Sequence, residues 1–147
     1  MDKVEMLQAT ELFGGLDAKA LGDIAEFCQP LHLADGGLLI AEGRPQTPDL
    51  YLVIEGEFDV ITRHPAKPDE RMTLGNLDYE VVGEIAWLTG ATRSATVRCR
   101  GDLLALRVDG PGLQAYLEGN HDVGFEVMRG MMRAVAQKLI DANFFLM

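Results

Sequence analysis

Residues 83–97 carry the sequence Gly83-Glu84-Ile85-Ala86-Trp87-Leu88-Thr89-Gly90-Ala91-Thr92-Arg93-Ser94-Ala95-Thr96-Val97. The segment begins with a Gly-Glu pair, continues through a short helix-prone turn and a glycine-containing loop, and ends in an apolar, β-branched run. It therefore combines free backbone N–H groups at a helix start with a carboxylate, a guanidinium and a hydroxyl. These groups suit a ligand that joins a phosphate to a sugar hydroxyl.

Short apolar runs separated by turns surround this segment, from residue 31 to residue 108. Their close, fairly regular spacing predicts an antiparallel barrel or sandwich, with turns at pairs such as Glu55-Gly56, Gly75-Asn76 and Gly101-Asp102. Residues His64–Glu70 contain two prolines and are predicted to form an exposed hairpin loop. The predicted strands are Leu31–Leu33, Leu38–Ile40, Leu50–Ile54, Phe58–Thr62, Arg71–Leu74, Glu80–Val82, Ala95–Cys99 and Leu103–Val108.

Helices are predicted on both sides of this β-rich body. Residues 4–13 and a second segment from Ala18 to about Phe27 form a helical lead-in, with Asp17 as the N-cap of the second helix. Pro30 prevents the continuation of that helix. Residues 110–119 form another short helix, since Pro111 suits its first turn.

The longest helical segment runs from Asp122 to about Asn143, and its apolar residues form two stripes. A helix with two apolar faces needs two partners, so we expect one stripe to face the domain and the other to pack on a second copy of the chain. A helix buried more fully against one domain is the alternative. The first stripe contains Phe125, Met128, Met132, Val135, Leu139, Ala142 and Leu146; the adjoining face contains Val123, Val127, Met131 and Ala134.

Length and charge restrict the possible functions. The 147 residues are expected to form a single domain, and the net charge of −10, without any Lys/Arg cluster, does not suit direct nucleic-acid binding by this chain alone. Cys28 and Cys99 lie far apart, as is usual for buried thiols in a reducing compartment. The N-terminus lacks a secretory pattern and no apolar stretch could span a bilayer, so we expect a soluble, cytoplasmic protein without membrane association.

Taken together, the cassette and the glycines upstream of it resemble a cyclic-nucleotide-binding domain. This module is shared by the catabolite activator protein family, cyclic-nucleotide-dependent kinases and cyclic-nucleotide-gated channels. The cassette Gly83-Glu84-Ile85-Ala86 followed by Arg93-Ser94-Ala95-Thr96-Val97 matches the family pattern, as do Gly37-Leu38-Leu39-Ile40-Ala41-Glu42-Gly43 and Leu50-Tyr51-Leu52-Val53-Ile54-Glu55-Gly56. The resemblance covers nearly the whole chain, 1–147.

The resemblance implies a mainly β fold with flanking helices. Its core is a double-stranded β-helix, a jelly-roll-like β-roll, over residues 31–108, with the phosphate cassette at 83–97. Short helices precede it over 1–30, a cassette helix interrupts it, and a long C-terminal helix ends the 110–147 region.

The implied site comprises Gly83, Glu84, Ile85, Ala86, Arg93, Ser94 and Ala95. Arg93 is the natural counter-charge for a cyclic phosphate, because its planar fork donates two N–H bonds at once. Ser94 adds a hydroxyl donor, and Ile85 and Ala86 add backbone N–H groups. The resemblance assigns Glu84 to the ribose 2′-hydroxyl, with Arg93 or a backbone N–H as its protein partner. Taken singly, Glu84 also fits an ordinary helix-start carboxylate and Arg93 a surface salt-bridge residue.

Recognition of the base is less defined by the sequence. Asn143 could reach a base edge from the terminal helix, and Phe144 and Phe145 fit either a lid or a helix seam. Trp87 and Leu88 are expected in the core. In the family, cassettes with Arg-Ser-Ala tend to accompany cAMP and those with Arg-Thr-Ala cGMP, so Ser94 favours cAMP as the ligand.

Three functions remain open from the sequence. The chain could be a sensor that binds cAMP or cGMP and transmits a shift of the terminal helix to a partner. It could be a non-binding relative that serves as a dimerisation or docking platform, or the sensor half of a truncated transcription regulator. The scattered His32, His64 and His121 lack metal-ligand spacing, and no catalytic motif occurs, so we expect neither a metal nor an enzyme.

Overall fold

The computed structural model describes residues 1–43 and 48–146, with side chains through residue 142. The helices are α1 (Lys3–Gln8), α2 (Ala18–Ala25), α3 (Glu84–Thr89), α4 (Gly110–Gly119) and α5 (His121–Leu146). The strands are β1 (Cys28–Leu33), β2 (Leu38–Ile40), β3 (Leu50–Arg63), β4 (Arg71–Leu77), β5 (Val81–Val82) and β6 (Ala95–Val108). The predicted order of helical lead-in, β-body, cassette helix and long terminal helix is confirmed.

The N-terminal helices differ in how well the sequence predicted them. Asp17 caps α2 as predicted, because its carboxylate accepts a hydrogen bond from the backbone N–H of Ala20. The first helix ends at Gln8 and not at residue 13. The Thr10 hydroxyl donates to the carbonyl of Leu7 and accepts from the N–H of Phe13, and these bonds turn the chain after α1.

In the part of the chain that the structure describes, six strands form one antiparallel sheet, which is the body of the domain. The two longest strands, β3 and β6, pair with each other along most of their length. β6 also pairs with β1 and β2, whereas β3 pairs with β4 and β5. This confirms the predicted mainly β fold with flanking helices, the arrangement of a β-roll.

Three of the predicted turns are wrong, and one of them, Gly75-Asn76, lies within β4. The chain continues as strand through Glu55-Gly56 within β3 and through Gly101-Asp102 within β6, so four predicted strands are two long ones. The pairing of β3 with β6 shifts register on both sides of Glu55, as at a β-bulge. Gly56 has a φ of 113°, and a Cβ there would lie 2.7 Å from the carbonyl oxygen of Asp102. Glycine therefore permits a bulge that curves the sheet without ending the strand.

The first strand begins earlier than predicted. Pro30, expected to lie just before the β-body, pairs with Leu106 inside β1. Proline cannot donate to a sheet ladder and is tolerated at sheet edges. Among the described strands β1 pairs only with β6, so this edge position accommodates it.

Two clusters of buried side chains form the core. One packs the helices against the sheet and includes Phe13, Ile24, Leu52, Leu113 and Met131. The other consists entirely of strand residues, namely Leu39, Ile40, Tyr51, Phe58, Val82, Val97, Cys99, Leu103 and Ala105. Burial of this apolar surface is the main favourable contribution to folding. Cassette residues of the 83–97 segment lie where the second cluster meets the terminal helix.

The terminal helix α5 presents different apolar residues to the domain and to solvent. Val127 and Met131 are fully buried against the first cluster, as predicted for the domain-facing stripe. Phe125, Met132 and Leu139 of the other stripe are each more than 60% exposed. None of the helices in the described part of the chain is long and apolar enough to cross a bilayer.

Candidate functional site

The cassette begins at a sharp turn between β5 and α3, and Gly83 makes that turn. Its φ of 86° lies in the left-handed region, and a Cβ there would lie 2.8 Å from Nη1 of Arg93 and 3.1 Å from the carbonyl oxygen of Asp49. Conformation and space therefore both require glycine. The turn presents the carbonyl of Gly83 to the Arg93 guanidinium and begins the helix that carries Glu84.

The Glu84 carboxylate is buried, at 3% exposure, in the first turn of α3. Its Oε1 accepts a hydrogen bond of 2.7 Å from Nζ of Lys138 on α5. The same ammonium donates to the carbonyl oxygen of Val81 at 2.6 Å. The sequence predicted Arg93 or a backbone N–H as the partner of Glu84, and that expectation is wrong. The partner comes from the terminal helix, 54 residues along the chain.

The Arg93 guanidinium is buried beneath the cassette, at 7% exposure. Nη1 donates to the carbonyl oxygen of Gly83 at 2.8 Å, and Nη2 donates to the carbonyl oxygen of Asp49 at 2.7 Å. Main-chain carbonyls therefore orient the group without neutralising its charge. A guanidinium has five N–H donors, and these two bonds use one on each terminal nitrogen.

A cavity of about 470 Å³ lies over the two charged groups, and both line it. Its walls are largely apolar side chains of the β-roll, including Ile40, Phe58 and Val97. A few convergent polar groups in an apolar cavity are typical of a small-molecule site. The structure brings all seven cassette residues of the sequence prediction to this cavity: Gly83, Glu84, Ile85, Ala86, Arg93, Ser94 and Ala95.

The remaining cassette residues lie at the rim of the cavity. Ile85 is about half exposed at 52%, whereas Ala86 is buried, and both lie in the first turn of α3, where backbone N–H groups have no partner within the helix. Ser94 is exposed, and its carbonyl accepts a bond from the Thr62 hydroxyl. The side chain of Asn143, the candidate base contact, lies outside the described residues, as do those of Phe144 and Phe145.

Trp87 and Leu88, the two residues of α3 that were expected in the core, differ in burial. Trp87 is buried, and its indole N–H donates to the carbonyl oxygen of Gly110 at 2.9 Å, which confirms its place in the core. Leu88 is 43% exposed, so the expectation of a core position for it is wrong. The helix is only six residues long, and its outer face is left uncovered by the sheet.

Three titratable side chains that line the cavity were not predicted from the sequence: Lys138, Tyr79 and Asp141. The Tyr79 hydroxyl donates to a carboxylate oxygen of Asp141, and this bond raises the pKa of Tyr79 to about 12 and lowers the pKa of Asp141. A signal for Lys138 was present, because it continues the domain-facing stripe at the spacing of Val127, Met131 and Ala134. A cation on a stripe of buried residues indicates a buried anion opposite it.

A second cavity, of about 490 Å³, lies between α3, α4 and α5 and is lined by Trp87, Leu88, Phe125 and Met128 among others. It contains neither the buried carboxylate nor the buried guanidinium. Its lining residues are mainly apolar, with Glu118 and His121 at its edge. The cavity over the cassette is therefore the better candidate for a charged ligand.

Known proteins with related sequences or folds show what this chain resembles. It is similar to the Pycsar effector protein BcPycTIR of Burkholderia cepacia, at 28% identity over 144 residues. The match covers 97% of this chain and 44% of that protein, so the chain spans less than half the length of this relative. A cyclic nucleotide-binding domain from Methylobacillus flagellatus shares the fold, with a TM-score of 0.75 at 20% identity over 95% of this chain and 77% of that one.

A further solved structure is that of the regulatory domain of Toxoplasma gondii PKA, crystallised with cAMP. It superposes with a TM-score of 0.58 at 25% identity, over 77% of this chain and 42% of that one. The family model for the cyclic nucleotide-binding domain matches residues 30–120, which include every strand from β2 to β6, the cassette and α4. This stretch is more than half of the chain, and the chain therefore belongs to the cyclic nucleotide-binding domain family.

Proposed function

We propose that this chain is a sensor domain that binds one cyclic nucleotide in the cavity over the cassette and passes the signal on through α5. The observation that carries the proposal is the pair of opposite, buried charges, Glu84 and Arg93, that line one apolar cavity on either side of Gly83. A cyclic nucleotide presents one anionic phosphate, which a guanidinium can bind, and one free ribose hydroxyl, which can donate to a carboxylate. The function is binding without turnover, so the ligand should be recovered chemically unchanged.

Phosphate capture is the role of Arg93. Two carbonyls already orient its guanidinium group, so little side-chain entropy remains to be lost when a phosphate binds. Charge-assisted bonds of this kind contribute about 1.5–3 kcal/mol each. The Ser94 hydroxyl and the backbone N–H groups of Ile85 and Ala86 add neutral donors around the same phosphate.

Ribose recognition is the role of Glu84. Lys138 bonds Oε1, and the carboxylate can accept the 2′-hydroxyl with its remaining lone pairs. A deoxyribose would leave a buried carboxylate without that donor, which is costly. The site should therefore distinguish ribose from deoxyribose strongly.

The base of the ligand is assigned by resemblance. The Arg93-Ser94-Ala95 sequence favours cAMP over cGMP, and a related regulatory domain has been crystallised with cAMP. The purine would lie against the apolar strand residues of the cavity, with Asn143 at the end of α5 as a candidate contact to its edge.

Dimerisation through α5 is the second part of the proposal. Phe125, Met132 and Leu139 form an exposed stripe with heptad-like spacing, while the opposite face of the same helix is buried in the domain. A second copy of the chain covers such a stripe most simply. Ligand binding can shift α5 in this dimer only by its differential affinity for two arrangements of the helix.

Met132→Glu tests the dimer. Met132 is 64% exposed, so the substitution should leave the fold intact while placing a charge in the seam. Sedimentation should report two chains per particle for the wild type and one for the variant. A control substitution at an exposed residue off the seam, Lys19→Glu, should remain dimeric. A monomeric wild type at high concentration would contradict this part of the proposal.

The binding function is tested by equilibrium dialysis with labelled cAMP, cGMP, cCMP and cUMP, with 5′-AMP as a control that lacks the cyclic phosphate. We expect micromolar affinity, about 8 kcal/mol of binding free energy, for cAMP and weaker binding of cGMP. No measurable binding of any cyclic nucleotide at high micromolar concentration would favour a docking platform instead. The existing bonds of Glu84 to Lys138 and of Arg93 to two carbonyls are the observation that keeps this alternative open.

A further inference from the structure

Lys138 is the cation that reaches the cassette from the terminal helix. Its ammonium donates to Oε1 of Glu84 at 2.7 Å and to the carbonyl oxygen of Val81 at 2.6 Å, and lies 5.3 Å from the centre of the Tyr79 ring. Three protein groups therefore fix one flexible side chain in one place. Its side chain is 28% exposed, and the carboxylate that it contacts is 3% exposed.

The charges around the cavity explain why such a cation is needed there. A cyclic nucleotide adds one negative charge beside the buried carboxylate of Glu84, and like charges repel strongly in an apolar site. Arg93 can balance one of the two negative charges, and Lys138 balances the other. The nearby Asp141 carboxylate has its own donors, the hydroxyl of Tyr79 and the side-chain amide of Gln137.

We propose that Lys138 is a positioning residue of the ligand site: it neutralises Glu84 and aims its carboxylate at the ribose 2′-hydroxyl. The site is then incomplete without α5, and selectivity for ribose depends on a residue of the terminal helix. This inference rests on the proposed function. It adds that the pair between Lys138 and Glu84 persists in the liganded state and is not displaced by the ligand.

The persistence of the pair follows from the strength of its bonds. A ribose hydroxyl is a neutral donor and cannot replace a charge-assisted bond of 2.7 Å to a buried carboxylate. Removing the ammonium would also leave Glu84 buried beside the phosphate without a counter-charge, which is costly. Sharing one carboxylate between the ammonium and the hydroxyl avoids both penalties, since a carboxylate accepts about four hydrogen bonds.

The test measures the affinities of Lys138→Met for cAMP and for 2′-deoxy-cAMP. In the wild type we expect cAMP to bind about tenfold or more tightly than the deoxy analogue. In Lys138→Met cAMP should bind about tenfold more weakly, and the preference for ribose should fall to about two-fold or less. Lys138→Arg, which keeps the cation, should retain most of the preference. Lys19→Met removes an equal charge from an exposed site on α2 and should bind both ligands as the wild type does.

The possible results separate this inference from the function on which it rests. If the wild type binds no cyclic nucleotide, the proposed function fails and the inference fails with it. If the wild type binds and Lys138→Met keeps the full ribose preference, the inference alone is wrong. Tighter binding by Lys138→Met would show that Lys138 competes with the ligand, which also overturns it. Should circular dichroism show that the Met variant is unfolded, Lys138→Gln, which keeps a neutral donor, is measured against the same thresholds.

Discussion

Two of the buried carboxylates in the described part of the chain, Asp59 and Glu84, are used differently. Asp59 on β3 accepts hydrogen bonds from Nε of Arg100 at 3.0 Å and from the N–H of Asn76 at 3.2 Å, and Arg98 lies within 3.7 Å. Glu84 accepts one described bond, from Lys138, and lines a cavity. Asp59 does not line that cavity although Phe58 and Val60 on either side of it do, because alternate residues of a strand face opposite ways.

The number of donors that the protein supplies separates a structural carboxylate from a ligand-binding one. Both carboxylates are almost fully removed from solvent, so burial alone does not distinguish them. The hydrogen bonds to their oxygens do distinguish them, because the protein itself supplies donors to both oxygens of Asp59, through Nε and Nη2 of Arg100. A carboxylate with acceptor capacity left over, next to a guanidinium whose described hydrogen bonds go to main-chain carbonyls, is prepared for a further partner.

Removing Arg93 should have the largest effect on this site. Arg93→Ala takes away two charge-assisted bonds to the phosphate, worth about 1.5–3 kcal/mol each, so affinity should fall by about a hundredfold or more. It also leaves the carbonyls of Gly83 and Asp49 without their donors, so the melting temperature should fall. Equilibrium dialysis and a thermal melt measure the two effects.

Arg100→Ala is the matched control for that prediction. It removes an arginine from the Asp59 cluster and not from the cavity, so it should lower the melting temperature and leave the affinity for cAMP unchanged. Equal losses of affinity in Arg93→Ala and Arg100→Ala would mean that the two clusters are not functionally different.

Glu84→Gln should have the next largest effect. The amide keeps the shape of the side chain and loses the charge, so the bond to the ribose hydroxyl weakens by about 1–2 kcal/mol and affinity for cAMP falls about tenfold. Affinity for 2′-deoxy-cAMP should change much less, because that analogue never made the bond. Parallel titrations of the two ligands give the ratio. A ratio equal to that of the wild type would remove Glu84 from ribose recognition.

Several features of the fold and of the site were predictable because each depends on residues that are close in sequence. The Gly83-Glu84 turn, the cap at Asp17 and the helix after Pro111 each depend on neighbouring residues, and the structure contains all three. The partners of Glu84 and Arg93 were not predicted, because Lys138 and Asp49 are brought to them only by the tertiary fold. Nothing local in the sequence specifies those distances.

The strand errors have a different physical cause. A glycine with positive φ occurs both in turns and in bulges, and only the pairing partner decides between them. Gly56 and Gly101 each have positive φ, yet β3 and β6 pair on both sides of them. A glycine that predicts a turn locally therefore forms a bulge instead, where continued pairing of two long strands stabilises the sheet more than a turn would.

The ion pair at Asp59 predicts how the stability of the domain depends on pH, and makes no prediction about ligand affinity. Arg100 donates hydrogen bonds to Asp59 and holds its pKa below the ordinary value of 3.8. A carboxylate whose pKa is lower in the folded protein than in the unfolded chain contributes stability above the ordinary value, and that stability is lost as pH falls through the folded pKa. Asp59→Asn should therefore be less stable than the wild type at pH 6, and the two should converge below pH 3.8. Chemical denaturation at several pH values measures this, and a constant difference down to pH 2 would be inconsistent with the assigned ion cluster.

The smallest expected effect is that of Ser94→Ala, and it tests how the phosphate shell is divided between charge and neutral donors. Ser94 is exposed at the rim of the cavity, and its side chain would contribute a single neutral hydrogen bond to the phosphate. Such a bond is worth about 0.5–1.5 kcal/mol, so affinity for cAMP should fall by about two- to tenfold with no change in thermal stability. Ser94→Thr keeps the hydroxyl and should bind cAMP about as the wild type does, while shifting the preference toward cGMP if the resemblance to Arg-Thr-Ala cassettes holds. A loss of affinity in Ser94→Ala as large as that in Arg93→Ala would mean that the hydroxyl, and not the guanidinium, is the main phosphate ligand. The difference in hydrogen bonding between Asp59 and Glu84 would then not indicate where the ligand binds.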